Sequence, residues 1–351
     1  MNARSEIDML NHEDPAEAGP TTRAARGWWR LALTGVALYA ATVLVLGVYW
    51  SVQPGRFDVR AVAVERLGGE SELVSGAVTV STIKRVAETL LEKPGGYVYN
   101  DITLPGLYLD NMPSWEYGAL KELRDALRSL RNDFSRSQTQ SIENANLRKA
   151  DALLNYDVNS WILPTTESEY RSGIDALGRY LDDLKSRTDP SARFYTRADN
   201  LAAYLAVVEK RLGNFAQRLS ASVGDSELTA ALVPVQGGEE TPGEVMEVRV
   251  QTPWLEVDNV FYEARGYAWA LLHTMKALAV EFEPVLRDKN AEVSIQQVIR
   301  DLQEATRRMW SPVVLNGSGF GLISNHSLIL ASYLSRANAA VLDLRILLQQ
   351  G

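Results

Sequence analysis

The longest uninterrupted apolar stretch of the chain is residues 31–50, LALTGVALYAATVLVLGVYW, and it contains no charged side chain. A helix rises about 1.5 Å per residue, so this run spans about 30 Å, the thickness of a bilayer core. Leu and Val fill nine of its twenty positions. Together they favour insertion by about 3 to 5 kcal/mol. Trp28, Trp29, Tyr49 and Trp50 bracket the run as interfacial aromatics do. It is too long for the apolar region of a signal peptide, and Tyr49-Trp50-Ser51-Val52 is a poor cleavage site. A buried core helix of this length would show a polar face, and this one has none. The pattern predicts a transmembrane anchor over 28–52.

Beyond the anchor the apolar period becomes 3.5. Phe194, Ala198, Leu201, Leu205, Val208, Leu212, Phe215 and Leu219 recur at alternating spacings of four and three. The same alternation runs through 257–285 and 330–348, and in shorter form through 120–134, 170–184 and 295–309. A 3.5 period is the seam of helices packed nearly parallel or antiparallel. One seam does not offset the entropy of ordering its helix, so the seams need one another. The expected fold is mostly α, an antiparallel helical bundle with little or no β behind a single membrane helix. Closure within one chain is the plainer reading, and an intermolecular coiled coil is the alternative. Asp189-Pro190 reads as N-cap and first residue of a helix. The short 185–189 connection predicts an antiparallel hairpin. Residues 57–64 alternate loosely, as a short strand or an extended linker.

The expected organisation is therefore a disordered tail (1–27), the anchor (28–52), a first helical lobe (53–224), a loop (225–252) and a second lobe (253–351). The loop contains Gly237-Gly238 and Pro242-Gly243, and 245–250 (VMEVRV) alternates as a short strand does. Arg23, Arg26 and Arg30 precede the apolar run, while Arg56 and Arg60 follow it within ten residues. That margin of one arginine leans towards a cytoplasmic N-terminus and a domain on the far side of the membrane.

Net charge is −8, from 36 basic against 44 acidic residues, which disfavours nucleic acid as a partner. There are no cysteines, so thiolate catalysis, disulfides and iron–sulfur clusters are excluded. His12, His273 and His326 form no metal-binding pair. No metal, cofactor or catalytic residue is assigned. The candidate ligand loop is 312–327, PVVLNGSGFGLISNHS. Its glycines could leave backbone amides open to a small anion, with Asn316, Gly317, Ser318, Gly319, Asn325 and His326 as the ligand-loop candidates. The spacing matches no known phosphate loop, and a tight turn capped by Ser324 or Asn325 is the plainer account. Ser318 and His326 do not make a recognisable catalytic pair. His273, beside seam residue Leu271, reads as a satisfied interhelical histidine. Trp115, Trp161, Trp254, Trp269 and Trp310 are scattered, like core rather than a stacking platform.

Several segments, among them MPSWEYG (112–118), FYEARGYAWALLH (261–273) and WSPVVLNGSGFGLISNHSLILASYLSRANAAVLDLR (310–345), resemble an uncharacterised proteobacterial family, domain of unknown function 2333. The resemblance implies a single-pass inner-membrane protein and carries no activity. The expected function is a structural or interaction protein of the cell envelope. Its partners would be the lipid bilayer and either an envelope protein or a second copy, with the C-terminal domain periplasmic. The alternative is a binding module for a small anionic or lipid-derived ligand at 316–326; a hydrolase without a known motif is the remote one.

Overall fold

The computed structural model describes residues 21–137, 142–223, 252–311, 313–317 and 322–350. By packing, the chain divides into two units, Met1–Leu46 and Gly47–Gly351. Helix α1, Thr21–Trp50, makes up the described part of the first and ends in the second. Its stretch Trp28–Trp50 is long and apolar enough to cross a membrane, and none of it is buried. The helix starts before the expected boundary at 28. Residues 21–26 contain no Gly or Pro, so a helix nucleated by the apolar run extends through them. The rest of the expected disordered tail lies outside the described residues.

The second unit is helical, and no strand occurs among the described residues. Its elements are α2 (Val59–Leu67), α3 (Ala77–Glu92), α4 (Asn111–Ser129), α5 (Ala145–Leu154), α6 (Thr166–Ser186), α7 (Ala198–Val223), α8 (Val257–Glu281), α9 (Glu283–Asp288), α10 (Glu292–Ala305) and α11 (His326–Gln349). Residues 57–64 are neither strand nor linker throughout. The Asp58 carboxylate accepts from the amides of Arg60 and Ala61, both at 2.9 Å, and so starts α2.

The seams close within one chain. Leu201, Leu205, Val208, Leu212 and Leu219 are fully buried, as are Leu334, Ala337, Val341 and Leu344. Helix α8 is the axis, buried at every position from 260 to 275. Helix α4 runs parallel to it, with Ser114 beside Asn259 and Gly118 beside Glu263. A Cβ on Gly118 would lie 1.9 Å from the Glu263 carbonyl oxygen, and one on Gly266 equally close to that of Trp115. The two glycines thus bring the backbones into contact. This pair departs from the antiparallel expectation, which α7 with α11 (Glu209 to Arg345) and α5 with α6 (Asn146 to Asp183) follow.

Helix α7 starts at Ala198, not at Pro190. Asp189 instead closes a turn by accepting from the Ser191 amide at 2.8 Å. The following segment is held by the Tyr195 amide, which donates to the Phe134 carbonyl at 2.7 Å. Phe194 keeps its seam role from outside a helix, against Phe134 and Phe282. The 185–189 hairpin does not form: α6 packs on α5 and α3, and α7 packs on α11. The 257–285 seam is broken after Glu281, where Pro284 opens α9. Nor do two lobes separate around 225–252. Helices from both sides, α4 with α8 and α7 with α11, build one core. The possible strand at 245–250 lies outside the described residues.

Candidate groove beside a buried arginine

Where a helix is apolar on every side it must be buried, so a charge within that stretch is buried too. Helix α8 carries Glu263, Arg265 and His273, all enclosed. Each is handled differently. Glu263 binds Lys121 and Arg218, which hold its pKa below the usual carboxylate value against the effect of burial. His273 accepts from the Phe57 amide through Nε2 at 3.1 Å, and its Nδ1 faces the Trp269 carbonyl at 2.7 Å. This is the satisfied histidine expected, and burial pushes its pKa down to about 4.

A second interior cluster joins α4, α7 and α8. The Tyr204 hydroxyl donates to Glu122, and Arg211 clasps Asp125 with Nε at 2.7 Å. Burial pushes Glu122 up to about 8. Glu122, Tyr204 and Tyr267 have no exposed surface, so the cluster organises the core rather than meeting a solute.

Arg265 is the exception among the buried charges. Its Nη1 donates to the Ala305 carbonyl at 3.1 Å, its Nη2 to the Arg307 carbonyl at 2.9 Å, and its Nε to Gln53 Oε1 at 3.3 Å. All these acceptors are neutral. Burial pulls its pKa down, and the neighbouring Arg56 charge adds to the pull. A guanidinium remains protonated under such pressure, so this corner of the core holds a positive charge balanced by dipoles alone.

That charge lies at the edge of an open groove of about 390 Å³ between α8, α10 and α11. Phe261, Ile329, Leu330 and Tyr333 form an apolar wall, and Arg265, Arg307 and Arg308 supply positive charge. Glu304 also lines it, 3.6 Å from Arg307, an exposed pair of small energetic weight. Arg308 lies 4.5 Å from the centre of the Trp310 ring, a cation–π arrangement. The volume is within the usual range for small-molecule sites. The combination of cationic and apolar walls suits a molecule with an anionic head and a hydrocarbon body.

Of the loop candidates among the described residues, only His326 lines this groove. Its Nδ1 accepts from the Leu315 amide at 3.0 Å, and burial together with Arg265 lowers its pKa. Asn316 and Asn325 face each other in an isolated antiparallel bridge. Asn325 caps α11 by accepting from the Leu328 amide at 2.9 Å, while its Nδ2 donates to the Gly317 carbonyl at 2.7 Å. Asn316 Oδ1 accepts from the Ser327 amide. The Gly317 amide donates to the Ser324 carbonyl at 3.1 Å, and a Cβ there would meet the Ile323 carbonyl oxygen at 2.2 Å. These groups close the turn on itself. Ser318 and Gly319 lie outside the described residues.

The tryptophans divide. Trp115 and Trp269 are core, with ring centres 5.1 Å apart. Trp310 is 83% exposed and Trp161 54%, which corrects the expectation of core for both. Trp254's side chain lies outside the described residues. Arg307 and Arg308 carried no distinguishing local pattern, and Arg265 matched no binding motif. One signal was present: around the 257–285 seam the remaining positions of 260–272 are also largely apolar, which marks Arg265 as a buried charge.

No curated protein and no solved structure matches the chain. The family model described as an uncharacterised protein conserved in bacteria (DUF2333) matches residues 22–351, and the chain belongs to that family.

Proposed function

We propose that this protein is a single-pass, membrane-anchored binding and interaction module of the bacterial cell envelope, without a catalytic role, whose groove takes an anionic amphiphile. Trp28–Trp50 is the anchor, in the inner membrane with the N-terminus cytoplasmic and the helical domain periplasmic. The observation that carries the ligand reading is Arg265, a buried charge held by neutral acceptors at the edge of an apolar groove. An anionic head group beside it, between Arg307 and Arg308, would supply the missing counter-charge, and Phe261, Ile329 and Tyr333 would cover a hydrocarbon chain. This moves the ligand site of the sequence reading from the 316–326 turn to the groove next to it.

The test uses the purified full chain in a neutral detergent, titrated with lysophosphatidylglycerol and with lysophosphatidylcholine. Binding should saturate and favour the anionic probe. Arg308→Glu, an exposed substitution, should weaken anionic binding by ten-fold or more and leave the zwitterionic probe unchanged. Equal binding of both probes, indifferent to Arg308→Glu, would sink the reading. Protease digestion of the domain in intact spheroplasts checks the orientation; protection until lysis would reverse it.

A further inference from the structure

Where α1 enters the folded domain, exposed apolar side chains from separate loops come together. Trp50 is half-buried and its ring lies against Gly95. A Cβ placed on Gly47 would lie 3.6 Å from the Pro105 side chain. The 102–108 loop therefore borders the exit of α1, and it exposes Ile102, Leu107 and Tyr108. The next loop is tied to it by Asn100 Nδ2, which donates to the Ser160 carbonyl at 2.8 Å. That loop exposes Trp161, Ile162 and Leu163, the last at 87%.

On the other side, Gln53 is three residues past the end of α1 and accepts from Arg265, which in turn holds the Arg307 carbonyl. The chain continues into exposed Trp310 and Val313. The turn that follows, rooted by His326 at 6.3 Å from Phe261, exposes Leu322 and Ile323. Val52 follows α1, Leu255 lies just before α8 and Ile329 lines the groove; apart from these and α1, the other large apolar side chains exposed among the described residues are Ile142, Val280, Val293, Leu342 and Ile346. These belong to the far end or the flanks of the bundle and form no such set of loops.

Exposed Leu, Ile and Trp on a water-facing surface lose hydrophobic free energy, and contiguous groups of them mark an interaction site. Arg307 and Arg308 sit among them, the signature of a surface that meets anionic head groups. We infer that this end of the domain docks on the bilayer that α1 spans, with the 102–108 and 161–163 loops and the exposed side chains of Trp310, Val313, Leu322 and Ile323 inserted at the head-group level. The partner is the lipid surface itself, and the groove then opens at the height of the lipids it would sample. The inference rests on the reading of α1 as a membrane span and does not depend on the ligand reading.

The chain has no cysteine, so single cysteines report cleanly. Leu107→Cys, Leu163→Cys and Val313→Cys, each bearing an environment-sensitive NBD label, are placed in the full chain. Reconstitution is into phosphatidylethanolamine–phosphatidylglycerol vesicles carrying a nitroxide near the head group. Val36→Cys reports the span, and Ile142→Cys and Val293→Cys report the far end. The three loop labels should be blue-shifted and quenched at least three-fold more than the far-end labels, with Val36→Cys shielded from aqueous quencher. Loop labels no more quenched than Val293→Cys, with Val36→Cys shielded, would overturn the docking while the span stands. A Val36→Cys label open to aqueous quencher would overturn the span itself.

Discussion

The Phe57 ring stacks on His273 with centres 3.9 Å apart, and the Phe57 amide donates to Nε2 of the same imidazole. The first residues after α1 are thereby clamped to the central helix. The Trp269 indole adds a third hold by donating to the Gly55 carbonyl at 3.1 Å.

The clamp predicts a pH dependence. The unfolded imidazole takes a proton near 6.5, but the folded one resists until about 4. The unfolded state binds more protons between those values, so stability falls as pH drops through that window and levels off below it. The contribution is on the order of 2–3 kcal/mol. His273→Phe should lower stability at pH 7 and flatten this part of the profile. Urea unfolding of parent and variant in detergent at pH 7 and pH 4.5 measures the difference.

Glu122 predicts the opposite slope. Its folded pKa is about 8 against 4.5 in the unfolded chain, so the folded state keeps a proton that the unfolded state releases. Stability is then lost as pH rises from 4.5 towards 8. Glu122→Gln preserves shape and removes the titration. At pH 8.5 the variant should exceed the parent by on the order of 2–4 kcal/mol, and by less at pH 5, in the same unfolding assay.

Lys93 and Glu116 form a fully enclosed ion pair at 2.5 Å, and Glu116 also accepts from the Val98 amide. Removing one partner strands the other's charge, which costs about 3–5 kcal/mol. Lys93→Met alone should therefore lower the melting temperature sharply. Lys93→Met combined with Glu116→Gln should recover most of the loss, as a double-mutant cycle would show.

The parallel contact of α4 and α8 leaves no room for a methyl group. Gly118→Ala and Gly266→Ala should each destabilise by roughly 3 kcal/mol or more, because the obstructing atoms are backbone carbonyl oxygens that cannot rotate away. Gly178→Ala, which meets only the flexible Lys84 side chain at 3.4 Å, should be near neutral or stabilising. Thermal melts of the three variants would rank them.

By itself the sequence determined what short-range physics controls. The length and apolarity of 31–50 required a long exposed apolar helix, and the 3.5 period required helices with one buried seam each. Ser324 or Asn325 announced a cap, which Asn325 supplies, and His273 a satisfied core position. Tertiary structure decided what depends on contacts between distant residues. Phe194 reads as a helical seam residue, yet it packs from an extended segment, because Asp189 closes a turn and Tyr195 pairs with Phe134. Gly118 and Gly266 are unremarkable until two backbones meet at them. Trp161 and Trp310 look like core by residue type, yet they stand exposed on loops outside the helical core. The groove, too, is a tertiary object: Arg265 reaches it from one helix, Trp310 from a loop and Tyr333 from another helix. Periodicity records which side of a helix is apolar. It carries no record of which helix faces it, since that choice is made by packing energy summed over the whole core.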